Sequence, residues 1–557
     1  MPNPTFRPQR SVQRLLASGL LAATAACGGP SQALTDLLHD PAITPYATTC
    51  REWATSQEKD LSGGAYNPAV LFVQTWPESS TGSDLFLPES RLVAALEQGE
   101  VRRLHVVARG GLGKSRLAES VRAQICDALP VFLIDLKDVA KSLKGAPLGG
   151  MAPAPSGGTA TAPAGAAPGD TLLRLIEKDL GIQDKPDARS KLAEAFAAQR
   201  ALLFLDAIEE VDLIARPGVM GQVLGLGERF PLLQLALMSR PPVLDDNYGF
   251  GAVDARLEIP PLDCKVTDAF IARSHKTDDD RRRFAAFLTR NGLDEKAHFG
   301  LQCIYPYLAT YRDIQTLSAF EMQTRKGDPG FLTSRATVYE ALASARLKKE
   351  FDNLGWTVAE ALDMVDRLVR VQTADGGQRN FTFGLDACFK AIDARWGETA
   401  VDAGVGGNLE QRRKHVCEKT FQSALFVRTE GSQAFTFSDR ATTDLFLARW
   451  LAGEISRGKD DCTLVAKHAD LLGNPGITRF FVGQPAGQRC LGHAIDALCK
   501  KSDKPGANVA VLDEGLPIGA ARVQPLKDAR ATASSMAQKA CVTAVLDDLD
   551  KTVATTP

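Results

Sequence analysis

The residues with the most chemistry to offer stand together in Ala108-Arg-Gly-Gly-Leu-Gly113-Lys114-Ser115. Glycines at 110, 111 and 113 let backbone N–H groups turn inward around phosphate oxygens. Lys114 can reach the β and γ phosphates, and the Ser115 hydroxyl at a helix start can ligate Mg²⁺. Arg116 follows as a further phosphate-side residue. Ninety residues on, Leu202-Leu-Phe-Leu-Asp206 is an apolar run ending in a carboxylate, a placement suited to holding Mg²⁺ beside the loop. The acids that follow, Glu209 and Glu210, are candidates to polarise an attacking water, with Glu210 preferred and Glu209 as the fallback. A third apolar run, Leu235 to Met238, ends in Ser239-Arg240, and Arg240 is placed to sense a γ phosphate. The expected cofactors are ATP or ADP with Mg²⁺, held by Gly110, Gly111, Gly113, Lys114, Ser115 and Arg116, with the metal on Ser115 and Asp206.

Such residues need strands to aim them. Leu104 to Ala108, Val131 to Asp135, Leu202 to Asp206 and Leu232 to Met238 have the length and apolar composition of buried strands, and helical stretches separate them. This rhythm predicts an α/β domain with a parallel sheet covered on both faces. The Gly/Ala/Pro-rich stretch 146–170 reads as a flexible insertion in that domain. After about Pro260 the pattern becomes helical, with amphipathic runs over 338–351, 358–371 and 441–455. A strand pair, 424–428 and 434–437, predicts a hairpin among those helices and so a winged-helix module.

The chain has 557 residues, 65 Lys plus Arg against 67 Asp plus Glu, and 44% hydrophobic residues. That length calls for more than one packed unit, and the balance is that of a folded body with no overall field for gripping nucleic acid. The 11 cysteines form no C-x-x-C pair, which reads as mostly reduced structural thiols in a cytoplasmic body. The seven histidines never fall at H-x-x-x-H spacing, which disfavours a zinc hydrolase. Against the cytoplasmic reading, Arg7, Arg10 and Arg14 precede an apolar run and Cys27-Gly28-Gly29, a pattern resembling a bacterial lipoprotein signal.

The loop, the acid strand and the Ser239-Arg240 strand together resemble the NACHT branch of the STAND signalling ATPases, over about residues 101–455. The resemblance implies an ATP-dependent switch that hydrolyses slowly, self-assembles, answers an unknown trigger and acts through an effector protein, in defence or regulation. It implies that Pro306 of Tyr305-Pro306-Tyr307 packs near the adenine. It also implies a phosphate-binding His after the winged helix's Phe, where this chain has Asp439, which would repel a phosphate; Arg440 is the candidate substitute. The expected layout is a leader over 1–27, a region of unknown role over 28–100, the nucleotide domain over 101–260, a helical domain over 261–355, a winged-helix-like domain over 356–455 and a helical region over 456–557. The alternative function is a non-catalytic lipoprotein scaffold with a vestigial loop, attached to the membrane through a lipidated Cys27 outside the cytoplasm.

Overall fold

The computed structural model describes residues 70–76, 86–126, 128–145, 168–242, 248–299, 302–325, 334–352, 354–374, 381–396, 408–429, 434–458, 462–502, 504–517 and 519–555. The leader-like segment 1–27 lies outside the described residues, as does all but the end of the insertion 146–170.

Seven strands form one mixed sheet: β1 (Val70–Thr75), β2 (Phe86–Pro88), β3 (Arg103–Val107), β4 (Val131–Asp135), β5 (Ala201–Asp206), β6 (Leu233–Ser239) and β7 (Ala255–Glu258). Their order is β2-β1-β7-β3-β6-β5-β4. The run from β7 to β4 is parallel, and β1 adds antiparallel to β7 and β2 to β1. The sheet therefore begins well before Val101. The six-residue β1, Val-Leu-Phe-Val-Gln-Thr, is longer than β3 or β4 and is missed by the sequence reading; β2, with three residues, is too short to mark itself.

The parallel strands are buried on both faces, which explains why they read as near-continuous apolar runs. Side chains alternate between the faces. On β5, Leu202 and Phe204 join one apolar cluster, while Ala201, Leu203 and Leu205 join another; on β6, Ala236 and Met238 part from Leu233, Leu235 and Leu237 in the same way. The second cluster is covered by helices Asp170–Asp179, Pro186–Ala198 and Arg216–Arg229. The first is covered by helices Glu89–Gln98 and Lys114–Ile125, and runs on without interruption into the core of the C-terminal half. The sheet and the helical region thus share apolar surface on one face of the sheet.

Beyond β7 the described residues are mainly helical, with two small antiparallel pairs among them: β8 (Ala297–Phe299) with β9 (Gln302–Ile304), and β10 (Phe426–Arg428) with β11 (Phe435–Phe437). The β10–β11 pair packs as a nest of phenylalanines, with Phe437 5.3 Å from Phe383 and 5.3 Å from Phe446 between ring centroids. A bridge between Phe383 and Phe435 adds the segment before helix Leu385–Trp396 to this pair.

The reading of mostly reduced thiols is overturned. Cys264–Cys303, Cys388–Cys417, Cys462–Cys490 and Cys499–Cys541 are disulfides, and Cys126 is disulfide-bonded as well. The partners lie 28 to 42 residues apart and meet only through tertiary packing, so no short-range motif announces them. Among the described residues no helix is long and apolar enough to cross a membrane.

Candidate functional site

Because β3, β5 and β6 are parallel and adjacent, their C-terminal ends deliver the loop after Val107, Asp206 and Ser239-Arg240 to one edge of the sheet. The loop 108–113 leaves β3 and enters helix Lys114–Ile125 through left-handed Gly111 (φ +88°) and Gly113 (φ +92°). Only glycine takes these angles without strain. Gly111 is also pressed against its surroundings: a Cβ there would lie 2.9 Å from Arg312 Cβ and 3.2 Å from Thr310 Oγ1.

Lys114 folds back over the loop, donating from Nζ to the Ala108 carbonyl at 3.0 Å and standing 3.9 Å from Glu209 Oε1. Burial lowers its pKa, and Glu209 opposes that shift. Ser115 Oγ donates to Asp206 Oδ2 at 2.7 Å, joining the helix start to the end of β5. Burial raises the Asp206 pKa, with the Ser115 hydrogen bond acting in the other direction. His105 Nε2 and Ser239 Oγ, 2.7 Å apart, tie β3 to β6 beneath the loop.

The two acids separate. Ala207 is left-handed (φ +66°) and a 3₁₀ turn, Ile208–Glu210, follows, so consecutive side chains point apart. Glu209 turns inward, 2% exposed, to lie 3.3 Å from Arg240 Nε as well as near Lys114. Its Oε2 has no hydrogen-bond partner among the described residues. Glu210 turns to the rim, where Lys137 Nζ donates to its Oε2 at 2.9 Å and Arg240 Nη2 stands 3.8 Å from Oε1. The carboxylate against Lys114 is therefore Glu209, and Glu210 is engaged by Lys137.

Arg240 is almost wholly buried, and its guanidinium lies beneath the loop: a Cβ on Gly110 would sit 3.7 Å from its Cζ. Besides Glu209 and Glu210 it contacts Glu350 Oε2, from helix Arg335–Asp352 of the C-terminal half. A second arm comes from helix Leu409–Gln422. Glu418 takes a bidentate pair from Arg216 (2.7 and 2.6 Å), Lys419 Nζ donates to the Glu209 carbonyl, and Gln422 Nε2 donates to Tyr248 OH at 2.9 Å. Tyr248 OH in turn donates to the Arg240 carbonyl at 3.3 Å.

Beside the 109–112 side of the loop lies a cavity of about 1070 Å³, lined by Arg109, Leu112, Pro306, Tyr307, Asp439 and Arg440 among others. Pro306 thus shares a cavity with the loop. Asp439 there is a helix cap: its carboxylate accepts from Thr442 N (2.7 Å), Thr442 Oγ1 (2.8 Å), Ser438 Oγ (3.0 Å) and Tyr307 OH (3.0 Å), with Arg346 Nη1 at 3.9 Å. With Tyr307 and Arg346 beside it, Asp439 is a partnered carboxylate. Arg116, next to Ser115 and exposed like it, has its Cβ 3.9 Å from where a Cβ on Gly113 would lie, and its guanidinium stands 3.1 Å from Glu119.

Among the described residues no cluster of three or more His, Cys, Asp or Glu forms a protein-only cage. Mg²⁺ characteristically takes one or two protein oxygens and leaves its other positions to water and phosphate. The Ser115–Asp206 pair, with the unsatisfied Glu209 Oε2 nearby, is a donor set of that kind.

Of the residues around the site, Lys137, Arg216, Glu350, Glu418 and Lys419 are not identified by sequence reasoning. Lys137 follows the polar end of β4 and could have been inferred from its place on the same sheet edge. Arg216 bonds the acid loop's own carbonyls from a few residues away, while Glu350, Glu418 and Lys419 meet Arg240, Arg216 and Glu209 from more than 100 residues downstream, and no local pattern marks them. No protein-family model matches the chain, and no curated protein matches it significantly.

Proposed function

We propose that this chain is a NACHT/STAND-like ATPase that binds a nucleoside triphosphate with Mg²⁺ and acts as a slow, nucleotide-dependent switch. The single observation that carries the reading is the meeting of Lys114, the Ser115–Asp206 pair and Arg240 at the ends of three neighbouring parallel strands. On this reading the loop amides and Lys114 hold the β and γ phosphates. Ser115 and Asp206 hold Mg²⁺, which when bound neutralises phosphate charge. Glu209 takes the water-orienting role first assigned to Glu210, because it is the acid turned toward Lys114. Arg240 offers its guanidinium to the terminal phosphate, and the cavity around Leu112 and Pro306 receives the base. Helices Val358–Ala374, Leu385–Trp396 and Leu409–Gln422 with the β10–β11 hairpin support a winged-helix module. Self-assembly, a trigger and an effector protein follow from the resemblance.

The disulfides favour a second reading on location. Stable cystines belong to oxidising compartments, and they accord with the lipoprotein-like leader and an anchor at Cys27 outside the cytoplasm. In that case the loop is vestigial or its ligand is not cytoplasmic ATP. One experiment separates the readings: nucleotide released on denaturing protein purified from its native compartment, wild type beside Lys114→Ala. About one ADP or ATP per chain, lost in the variant, is the expected result. An empty wild-type protein that also binds no added Mg·ATP refutes the switch and leaves the scaffold.

A further inference from the structure

Lys419 is a buried cation without an ion pair. It is 1% exposed, and among the described residues its ammonium makes one hydrogen bond, to the Glu209 carbonyl. The carboxylate beside it in sequence, Glu418, is taken by Arg216 through two contacts of 2.7 and 2.6 Å. Burial holds the Lys419 pKa down to about 8; Glu418 and Glu209 oppose that shift, and Arg216 and Arg240 add to it. An ammonium carries three donors, and one kept out of water with two of them unfilled destabilises the fold, where an apolar side chain of similar shape does not. Stability therefore does not account for a lysine at this position, which leaves its one contact.

That contact falls on a strained turn. Ala207 (φ +66°) is one of two non-glycine residues with positive φ among the described residues. A left-handed alanine lies above its right-handed form in energy and persists where surrounding contacts over-determine it. Here the contacts are made to carbonyls. Glu209 O accepts from Lys419 Nζ and from Arg216 Nη2 at 3.4 Å, while Val211 O accepts from Arg216 Nε and Nη2 at 3.3 and 3.2 Å. Arg216 divides its donors among two carbonyls and Glu418, so Lys419 is the one side chain given over to the Glu209 carbonyl. Fixing that carbonyl fixes the bonds on either side of it. The Glu209 carboxylate then faces Lys114 and Arg240, and that of Glu210 faces Lys137.

Resting on the hydrolytic reading above, we propose that Lys419 is a positioning residue for Glu209: by holding the Glu209 carbonyl, it keeps the 207–210 turn in the form that aims the Glu209 carboxylate at the attacking water. It acts through Glu209 and on no reacting atom. Helix Leu409–Gln422 thus supplies the sheet edge with a residue that serves the chemistry at the expense of packing.

The test measures single-turnover hydrolysis of Mg·ATP by the full chain, with amide exchange over 416–422 alongside. Lys419→Met should lower the rate by about 10- to 100-fold, the upper figure being that for a catalytic group misplaced by about 1 Å, with the half-saturating Mg·ATP concentration unchanged. Exchange over 416–422 should be no faster than in wild type, because the substitution removes an unpaired buried charge. Adding Ala207→Gly should recover part of the lost rate, since glycine takes the left-handed form without strain. A wild-type rate in Lys419→Met, a rate loss accompanied by faster exchange over 416–422, or no recovery on adding Ala207→Gly overturns the proposal while leaving nucleotide hydrolysis intact. Wild type that binds no Mg·ATP, or binds it without hydrolysing it, removes the underlying reading and this proposal with it.

Discussion

Replacing Glu418 by Gln should loosen the docking of helix Leu409–Gln422 on the acid loop by about 3 kcal/mol, at the lower end of the ~3–5 kcal/mol typical for removing one partner of a buried pair. Glu418 is fully buried, Arg216 is 5% exposed, and their two parallel contacts of 2.7 and 2.6 Å are charge-assisted. A Gln amide keeps the shape but turns an N–H₂ toward the guanidinium, leaving a buried cation short of its counter-charge. The loss stays near the low end because Arg216 keeps backbone acceptors: the Val211 carbonyl at 3.2 and 3.3 Å and the Glu209 carbonyl at 3.4 Å. The Tyr248 ring, 5.2 Å from Arg216 Cζ, also remains. A chain of several packed units does not melt as one transition, so local opening is the right observable. Amide exchange within 416–422, measured where exchange follows the opening equilibrium, should accelerate roughly 150-fold, since each ~1.4 kcal/mol is a factor of ten. Exchange in β5 and β6 should change far less. The double variant Arg216→Met with Glu418→Leu removes both charges and should return the opening equilibrium to within about 1 kcal/mol of wild type. Acceleration below about fivefold in Glu418→Gln, or a double variant as loose as the single, would refute the view that this ion pair fixes the helix.

Two buried histidines predict an acid-sensitive structure. Burial, then the nearby Arg256, holds His105 down to about 3; burial, then Lys419 and Arg216, does the same for His415. The folded chain therefore binds fewer protons than the unfolded chain between about pH 6.5 and 3. This stabilising contribution is complete above pH 6.5 and declines as pH falls, by up to about 1.4 kcal/mol per unit for each histidine. Amide exchange in β3 and within 416–422, corrected for its intrinsic pH dependence, should report easier opening as pH falls from 7 to 4, and His415→Phe should reduce that change within 416–422; an unaltered change in the variant contradicts the assignment. For the cystines the expectation is a count: eight of the 11 cysteines form the four pairs above, and Cys126 with its partner makes ten, so alkylation of protein denatured without reductant should label at most one thiol per chain by mass. Eleven labels would refute the disulfides.

The parallel part of the sheet is legible in the sequence because its strands are buried on both faces and carry unbroken apolar runs; Val131–Asp135 is read to the residue, and Leu202–Asp206 misses only Ala201. The helical runs at 358 and 441 are legible for the complementary reason, a one-sided apolar stripe. β7 escapes as Ala-Arg-Leu-Glu, with two polar residues in four, and β2 as only three residues, whereas β1 is missed despite its apolar Val-Leu-Phe-Val start. At the site, residue types at the ends of β3, β5 and β6 are readable, because a parallel sheet sends all those ends to one edge. The choice between Glu209 and Glu210 is not, since it turns on one left-handed residue, Ala207, that is neither Gly nor Asn and gives no signal. Glu350, Glu418 and Lys419 are invisible for a simpler reason: helical spacing shows which residues are buried, not which distant carbonyl or carboxylate they meet.

The disulfides and the ion pairs divide the molecule between two kinds of bond. Each of the four cystines with both partners described joins residues beyond Asp263, so the covalent links staple the helical half to itself. The contacts from that half to the sheet half at this edge are non-covalent: Arg240–Glu350, Arg216–Glu418, Lys419 to the Glu209 carbonyl, and Gln422 to Tyr248. Cross-links of this sort limit how far a segment can unfold without restricting its motion as a body. A chain built this way resists loss of the helical region while leaving its seating on the sheet edge to ionic and hydrogen-bonded contacts. Internally stapled helices on an ionic seat suit rigid-body undocking better than local melting. Reduction should therefore ease unfolding within the helical half while leaving its contacts to the sheet edge in place, whereas Glu418→Gln should do the reverse.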